Sequence, residues 1–220
     1  MLLSHRYRFL FVHIAKTGGT SVRAALQRRM WADPWRIPMF LCSRMSHLSG
    51  HRLACKLPRH AKAIAAREML PHEFYQSLFK FCFVRNPWDL QVSSFHHIRR
   101  ERPHLMEGID DFASFIRYKL DPERPYQYHM DISVERQSDY VTDQHGNAIV
   151  DFIGRFERLE QDYAYILRRI GFEVTPLPQR RTATDRRDYR GYYTDDLAER
   201  VAAHYREDIE RFGYRFDDEG

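Results

Sequence analysis

Lysine, threonine, glycine and serine crowd into one short stretch, Lys16-Thr17-Gly18-Gly19-Thr20-Ser21, and those types in that order can hold an anion. Glycines let the backbone bend until successive N–H groups point inward, and a helix starting there adds positive potential. Lys16 supplies a charge, and Thr20 and Ser21 supply hydroxyls. The G-x-x-x-x-G-K-[ST] nucleotide pattern is not met, because Lys16 precedes both glycines. No obvious acid at a strand end offers itself as a magnesium partner either. The same residues equally suit a tight strand–helix turn with incidental hydroxyls.

A second set begins at Arg85, where the apolar run Phe79–Val84 ends, and continues eight residues on to Ser93. In an open α/β sheet ligands collect at the carboxyl ends of strands. An arginine there, with a hydroxyl on the next helix, can clasp a phosphate. The alternative is an arginine paired to a surface acid and a serine filling a helix face. Taken together, two anion sites on adjacent strand–helix units fit a nucleotide phosphorylated at both ends of its ribose. 3′-Phosphoadenylyl sulfate (PAPS) is that nucleotide.

The elements that must position these residues are legible in part. Arg8 to Ile14 reads as a first strand whose stretch Phe9 to Val12 is continuously apolar, as parallel strands covered on both faces are. A helix follows from about Thr20 to Met30 with Val22, Leu26 and Met30 on one face, and the Ala-rich segment from His60 to Arg67 is also helical in composition. Asn86, Pro87 and Asp89 mark a helix start after the Phe79–Val84 strand. Further on, the pattern predicts a helix around Ile109–Leu120 and a hairpin about Gly146-Asn147 that runs into a core strand ending at Phe156. It then predicts a helix from Leu159 to Ile170 and a last helix from Thr194 to Phe212.

The 220 residues suit one α/β domain, 1–220, with no repeat or linker. Hydrophobic content of 43% and charged content of 30% exclude a disordered chain. The net charge of +5 suits an anionic ligand without demanding nucleic acid. Cys42, Cys55 and Cys82 have no CxxC spacing and leave an odd thiol, which points to a reducing, cytoplasmic setting and no zinc site. The apolar run after Arg8 is too short for a signal-peptide core or a membrane span.

At these residues the sequence resembles the PAPS-dependent sulfotransferase superfamily, in its carbohydrate (Golgi-type and bacterial) branch. Phe11 to Ser21 looks like the family's 5′-phosphosulfate loop, and Phe81 to Asp89, continuing to Ser93, like its 3′-phosphate motif. Asp151–Leu159 and the tail from Tyr189 to Phe216 also resemble that branch. Ala15 stands where many relatives carry proline, and the Arg-rich loop Arg180–Arg190 lacks an expected Asn-Ser pair.

The resemblance implies a P-loop-like, three-layer α/β fold: a central, mainly parallel sheet flanked by helices. It implies that Lys16, Thr17, Gly18, Gly19, Thr20 and Ser21 hold the 5′-phosphosulfate and that Arg85 and Ser93 hold the 3′-phosphate. Lys16 would stabilise charge on the leaving oxygen, adenosine 3′,5′-bisphosphate would be the product, and no metal would be needed. His60 would be the base, as in uronyl 2-O-sulfotransferases, with His51, His47 and Glu68 as alternatives. A carbohydrate or glycoconjugate hydroxyl would be the acceptor. Trp31, Trp35 and the Tyr126–Tyr140 stretch could line an acceptor cleft or belong to the core. Two other readings compete: an ATP-dependent kinase, and a non-catalytic binder of nucleotide or nucleic acid.

Overall fold

The computed structural model describes residues 1–34, 37, 41, 57–178 and 188–218. Four strands form one sheet in the order β1 (Leu2–Ser4), β2 (Phe9–Val12), β3 (Phe79–Val84), β4 (Phe152–Arg155). β1 runs antiparallel to β2, while β2, β3 and β4 are parallel. Phe11, Phe81 and Phe152 lie in register across the three parallel strands. All four residues of β2 are fully buried, which explains the unbroken apolar run there.

Two helices close one apolar core with the sheet. α1 (Gly19–Arg29) contributes Val22 and Leu26, and α7 (Leu159–Arg169) contributes Tyr163, Ile166 and Leu167, against Phe9, Phe11, Phe81 and Phe83. Each helix thus spends its 3.6-residue stripe on the strands. The mixed α/β architecture with a mainly parallel sheet and flanking helices is the expected one.

Between these lie α2 (Ala63–Met69) and α3 (His72–Gln76). Then come α4 (Pro87–Glu101), α5 (Phe112–Lys119) and α6 (Tyr128–Asp131), with α8 (Asp195–His204) and α9 (Arg206–Phe212) at the end. A second core joins Trp88, Val92, Phe95 and Ile98 of α4 to Phe115 and Ile116 of α5 and Leu197 and Val201 of α8. The Asn86 side chain caps α4 by accepting from the N–H groups of Trp88 and Asp89 at 3.1 and 3.4 Å.

By contact the chain divides into two compact units. One comprises Met1–Ile14, Gly18–Val84 and Asp139–Arg180; the other comprises Ala15–Thr17, Arg85–Ser138 and Arg181–Gly220.

Several boundaries differ from expectation. β1 has three residues at a sheet edge, too few to show a period. His60 lies in a turn ahead of α2 and not at its start, its ring being tied elsewhere. The last helix divides at Tyr205, whose backbone leaves the helical region (φ −101°, ψ 22°) while its hydroxyl donates to the Ser133 carbonyl at 2.9 Å. The hairpin keeps one bridge, Thr142 to Ala148, because Asp143 gathers the N–H groups of His145 and Asn147 into a side-chain turn.

Gly154 in β4 has no room for a methyl group: a Cβ there would lie 2.6 Å from the Phe83 ring. Gly154→Ala should cost about 1–3 kcal/mol through overpacking. Gly191→Ala, where nothing lies within 4 Å, should be near neutral. Urea denaturation of both variants checks the contrast, and equal stabilities would contradict it.

Candidate functional site

Because β2 and β3 are parallel neighbours, the segments leaving them emerge at the same edge of the sheet. Lys16 follows β2 and turns left-handed at φ 66°, a conformation that costs a non-glycine residue about 1–3 kcal/mol. Arg85 follows β3 and is 2% exposed. Its Nη1 donates to the Lys16 carbonyl at 2.9 Å, and its Nε donates to Asp89 Oδ2 at 2.7 Å. Asp89 in the first turn of α4 therefore aims the guanidinium, and the guanidinium holds the strained turn.

A further layer fixes Arg85 itself. Its N–H donates to Gln137 Oε1 and its carbonyl accepts from Gln137 Nε2, both at 2.8 Å, as a neighbouring strand would. The Gln137 and Ser138 N–H groups both donate to the buried Asp208 carboxylate at 2.8 Å. Burial pushes the Asp208 carboxyl above its ordinary pKa, against the lowering effect of those two bonds.

The glycines serve packing as well as turning. Gly18 caps α1 in the left-handed region (φ 76°), and a Cβ there would lie 2.8 Å from Leu159. A Cβ on Gly19 would lie 2.2 Å from the His13 ring. Thr20 is exposed and Ser21 half-buried on the first turn of α1, which carries no acid. An anion meets no like charge from that turn.

His13 and His60 form a pair. His60 Nδ1 lies 2.9 Å from the His13 carbonyl, and the rings stand 4.6 Å apart. A carbonyl only accepts, so Nδ1 carries the hydrogen and Nε2 keeps its lone pair. Burial first, then the Met1 amino group, Arg59 and Arg23, lower the His60 pKa to about 4, although the bond to His13 opposes the shift. Burial and the cationic charge of His60 take His13 to about 2. Both imidazoles are thus neutral at physiological pH, the form a proton acceptor needs.

The residues singled out from the sequence divide between the units. Gly18, Gly19, Thr20, Ser21 and His60 belong to the first; Lys16, Thr17, Arg85 and Ser93 belong to the second. Ser93 is half-buried on α4. Glu68 is exposed and paired with Arg67 at 3.1 Å. Tyr140 is core, whereas Trp31, Tyr126 and Tyr128 are exposed. His47, His51 and Trp35 lie outside the described residues, as does most of the Arg-rich loop. Sequence reasoning missed His13, Asp89 as the aim of Arg85, Gln137 and Asp208. Only Asp89 left a signal, four residues after Arg85 on a capped helix. Among the described residues no cluster of His, Cys, Asp or Glu could hold a metal ion, and no helix is long and apolar enough to cross a membrane.

The model of the Sulfotransferase family matches residues 1–215. The chain belongs to that family. Carbohydrate sulfotransferase 14 of Danio rerio is 27% identical over 210 residues, covering 83% of this chain and 51% of that protein. Its Homo sapiens counterpart is 25% identical, covering 76% and 45%. Carbohydrate sulfotransferase 11 of Rattus norvegicus is 32% identical, covering 44% and 34%. The sulfotransferase-family chain thus spans about half, or less, of the length of these three relatives. No solved structure matches it significantly.

The histidine pair sets a pH dependence. His60 is held below its ordinary 6.5, so its contribution to stability is complete above that value and is lost as pH falls toward about 4. Thermal melts of the parent should weaken on acidification through this window. His60→Asn should remove up to about one proton's share of the slope. NMR titration should find the free-protein His60 neutral down to about pH 4; a midpoint at 6.5 would contradict the burial argument.

Proposed function

We propose that this protein transfers the sulfuryl group of PAPS to a hydroxyl of a carbohydrate or glycoconjugate, and that residues 1–220 serve this as one domain. The observation that carries the reading is the bond from Arg85, in the 3′-phosphate motif, to the carbonyl of Lys16, in the phosphosulfate loop. It makes two motifs, widely separated in sequence, parts of one device. The family and the carbohydrate sulfotransferases among the relatives support the reaction class and the acceptor class. The residues fit the nucleotide's charge: a lysine, an arginine, the four hydroxyls of Thr17, Thr20, Ser21 and Ser93, and an acid-free helix start. The cysteine usage supports a reducing, cytoplasmic location, Cys82 being a free buried thiol.

PAPS, when bound, supplies a sulfuryl group whose bond to the 5′-phosphate oxygen breaks as the acceptor oxygen bonds to sulfur. The protein's part is positioning and charge. Thr17 to Ser21 hold the 5′-phosphosulfate, and Arg85 with Ser93 holds the 3′-phosphate. The Lys16 ammonium stabilises charge on the leaving oxygen. His60 Nε2, left bare by the bond at Nδ1, takes the acceptor proton.

Adenosine 3′,5′-bisphosphate should raise the melting temperature without metal and bind much better than AMP. Stabilisation by ATP with magnesium but not by the bisphosphate would reject the reading in favour of a kinase.

Lys16→Ala should lower kcat strongly, and His60→Ala should lose about 10²–10⁴ in turnover while binding the bisphosphate normally. Ser93→Ala should chiefly raise KM for PAPS. Arg85→Ala should raise that KM and also lower kcat, because the guanidinium holds the Lys16 turn. Steady-state kinetics with labelled PAPS check these assignments, and a kcat for Arg85→Ala equal to that of the parent would uncouple Arg85 from Lys16.

A further inference from the structure

His13 directly follows β2 and is 3% exposed. Its ring stacks on that of Phe11 at 5.5 Å and stands 4.6 Å from that of His60. Nδ1 is cut off from solvent and has no hydrogen-bond partner among the described residues. A buried polar atom left unsatisfied lowers stability, so packing alone does not account for an imidazole there.

The unsatisfied atom decides the tautomer. Burial first, then the charge of His60, holds the His13 pKa at about 2, so the ring carries one hydrogen. An N–H buried without an acceptor is rarer in folded proteins than an acceptor left short of donors. Nδ1 is therefore the bare nitrogen, and the hydrogen sits on Nε2.

Nε2 faces the start of α1. A Cβ built on Gly19 would lie 2.4 Å from Nε2 and 2.2 Å from Cδ2, so this edge of the ring fills the space of a side chain on the first residue of the helix. Cα–Cβ bonds in a helix tilt toward its N-terminus. The Nε2–H edge thus lies on the side from which an anion meets the first N–H groups of a helix. The first turn of α1 carries no acid, and Gly18 caps it. His13, Gly18, Gly19 and His60 all belong to the first compact unit.

We propose that His13 is a ligand of the 5′-phosphosulfate, its Nε2–H donating to a non-bridging oxygen of the anion at the start of α1. This rests on the reading of Gly18 to Ser21 as part of the phosphosulfate loop. His13 then has two duties on separate parts of one residue. Its ring meets the sulfuryl donor, while its carbonyl accepts from His60 Nδ1 at 2.9 Å. One residue sets the base and the transferring group relative to each other. The contact needs neither proton transfer nor charge on His13.

Long-range ¹H–¹⁵N NMR of the full chain reads the ring directly. In the free parent His13 should carry its hydrogen on Nε2. Saturating adenosine 3′,5′-bisphosphate should move that proton downfield, and adenosine 3′-monophosphate, which lacks the 5′-phosphate, should leave it in place. In calorimetry His13→Phe should weaken bisphosphate binding about 10–100-fold, the scale of a hydrogen bond to a charged group. The same variant should bind the 3′-monophosphate as the parent does, and His13→Gln, which returns an N–H donor, should recover part of the loss. A purely structural role would weaken both ligands alike. Hydrogen at Nδ1 in the free parent, an Nε2–H resonance unmoved by bound bisphosphate, or equal losses for the two ligands in His13→Phe overturns the proposal alone. The NMR outcomes need no variant and so stand even where His13→Phe fails to fold. Failure of the bisphosphate to bind the parent overturns the cofactor reading and this inference with it.

Discussion

The bond from the Arg85 guanidinium to the Lys16 carbonyl is the constraint on which the arrangement depends. A lysine in left-handed backbone is costly and persists only where surrounding structure holds it. Arg85 does so with one nitrogen and grips Asp89 with another. Gln137 pins the arginine's backbone, and Asp208 pins that of Gln137 and Ser138. The series runs from a buried carboxylate on α9 to the residue proposed to meet the leaving group; its links are buried hydrogen bonds except the last, from Arg85 to Lys16, which is part-buried. Low local dielectric makes such links strong, and it also makes any broken one expensive.

His60 is organised by a similar logic within the other unit. Gly19 lets the His13 ring approach α1, and the His13 carbonyl fixes the tautomer of His60. Backbone geometry thereby prepares a lone pair on Nε2. Burial first, and the neighbouring cations after it, keep the ring neutral at the cost of basicity, so a bound anion should raise its proton affinity.

Much of the fold could be read from residue patterns. The fully buried β2, the α1 stripe of Val22 and Leu26 and the Asn86 cap all follow from local rules: two-sided burial, helical periodicity and side-chain capping. β1 could not be read, since three edge residues show no period. Nor could the division of the last helix at Tyr205, which a hydroxyl bond to a distant carbonyl accompanies. The turn holding His60 reads as helix in sequence because the alanines after it have high helix propensity, while a long-range bond ties the ring elsewhere.

By itself the sequence determined the chemistry on offer: a lysine and hydroxyls on a glycine turn, an arginine at a strand end, and their spacing. These are local properties, set by which side chains follow which backbone signals. Only the tertiary structure decided what those groups do to one another. That Arg85 braces Lys16 and that His13 leaves His60 one bare nitrogen involve partners 69 and 47 residues apart. No periodicity encodes such pairings. They arise because parallel strands deliver their loops to a common edge, and because buried polar groups must find partners wherever the packed chain supplies them.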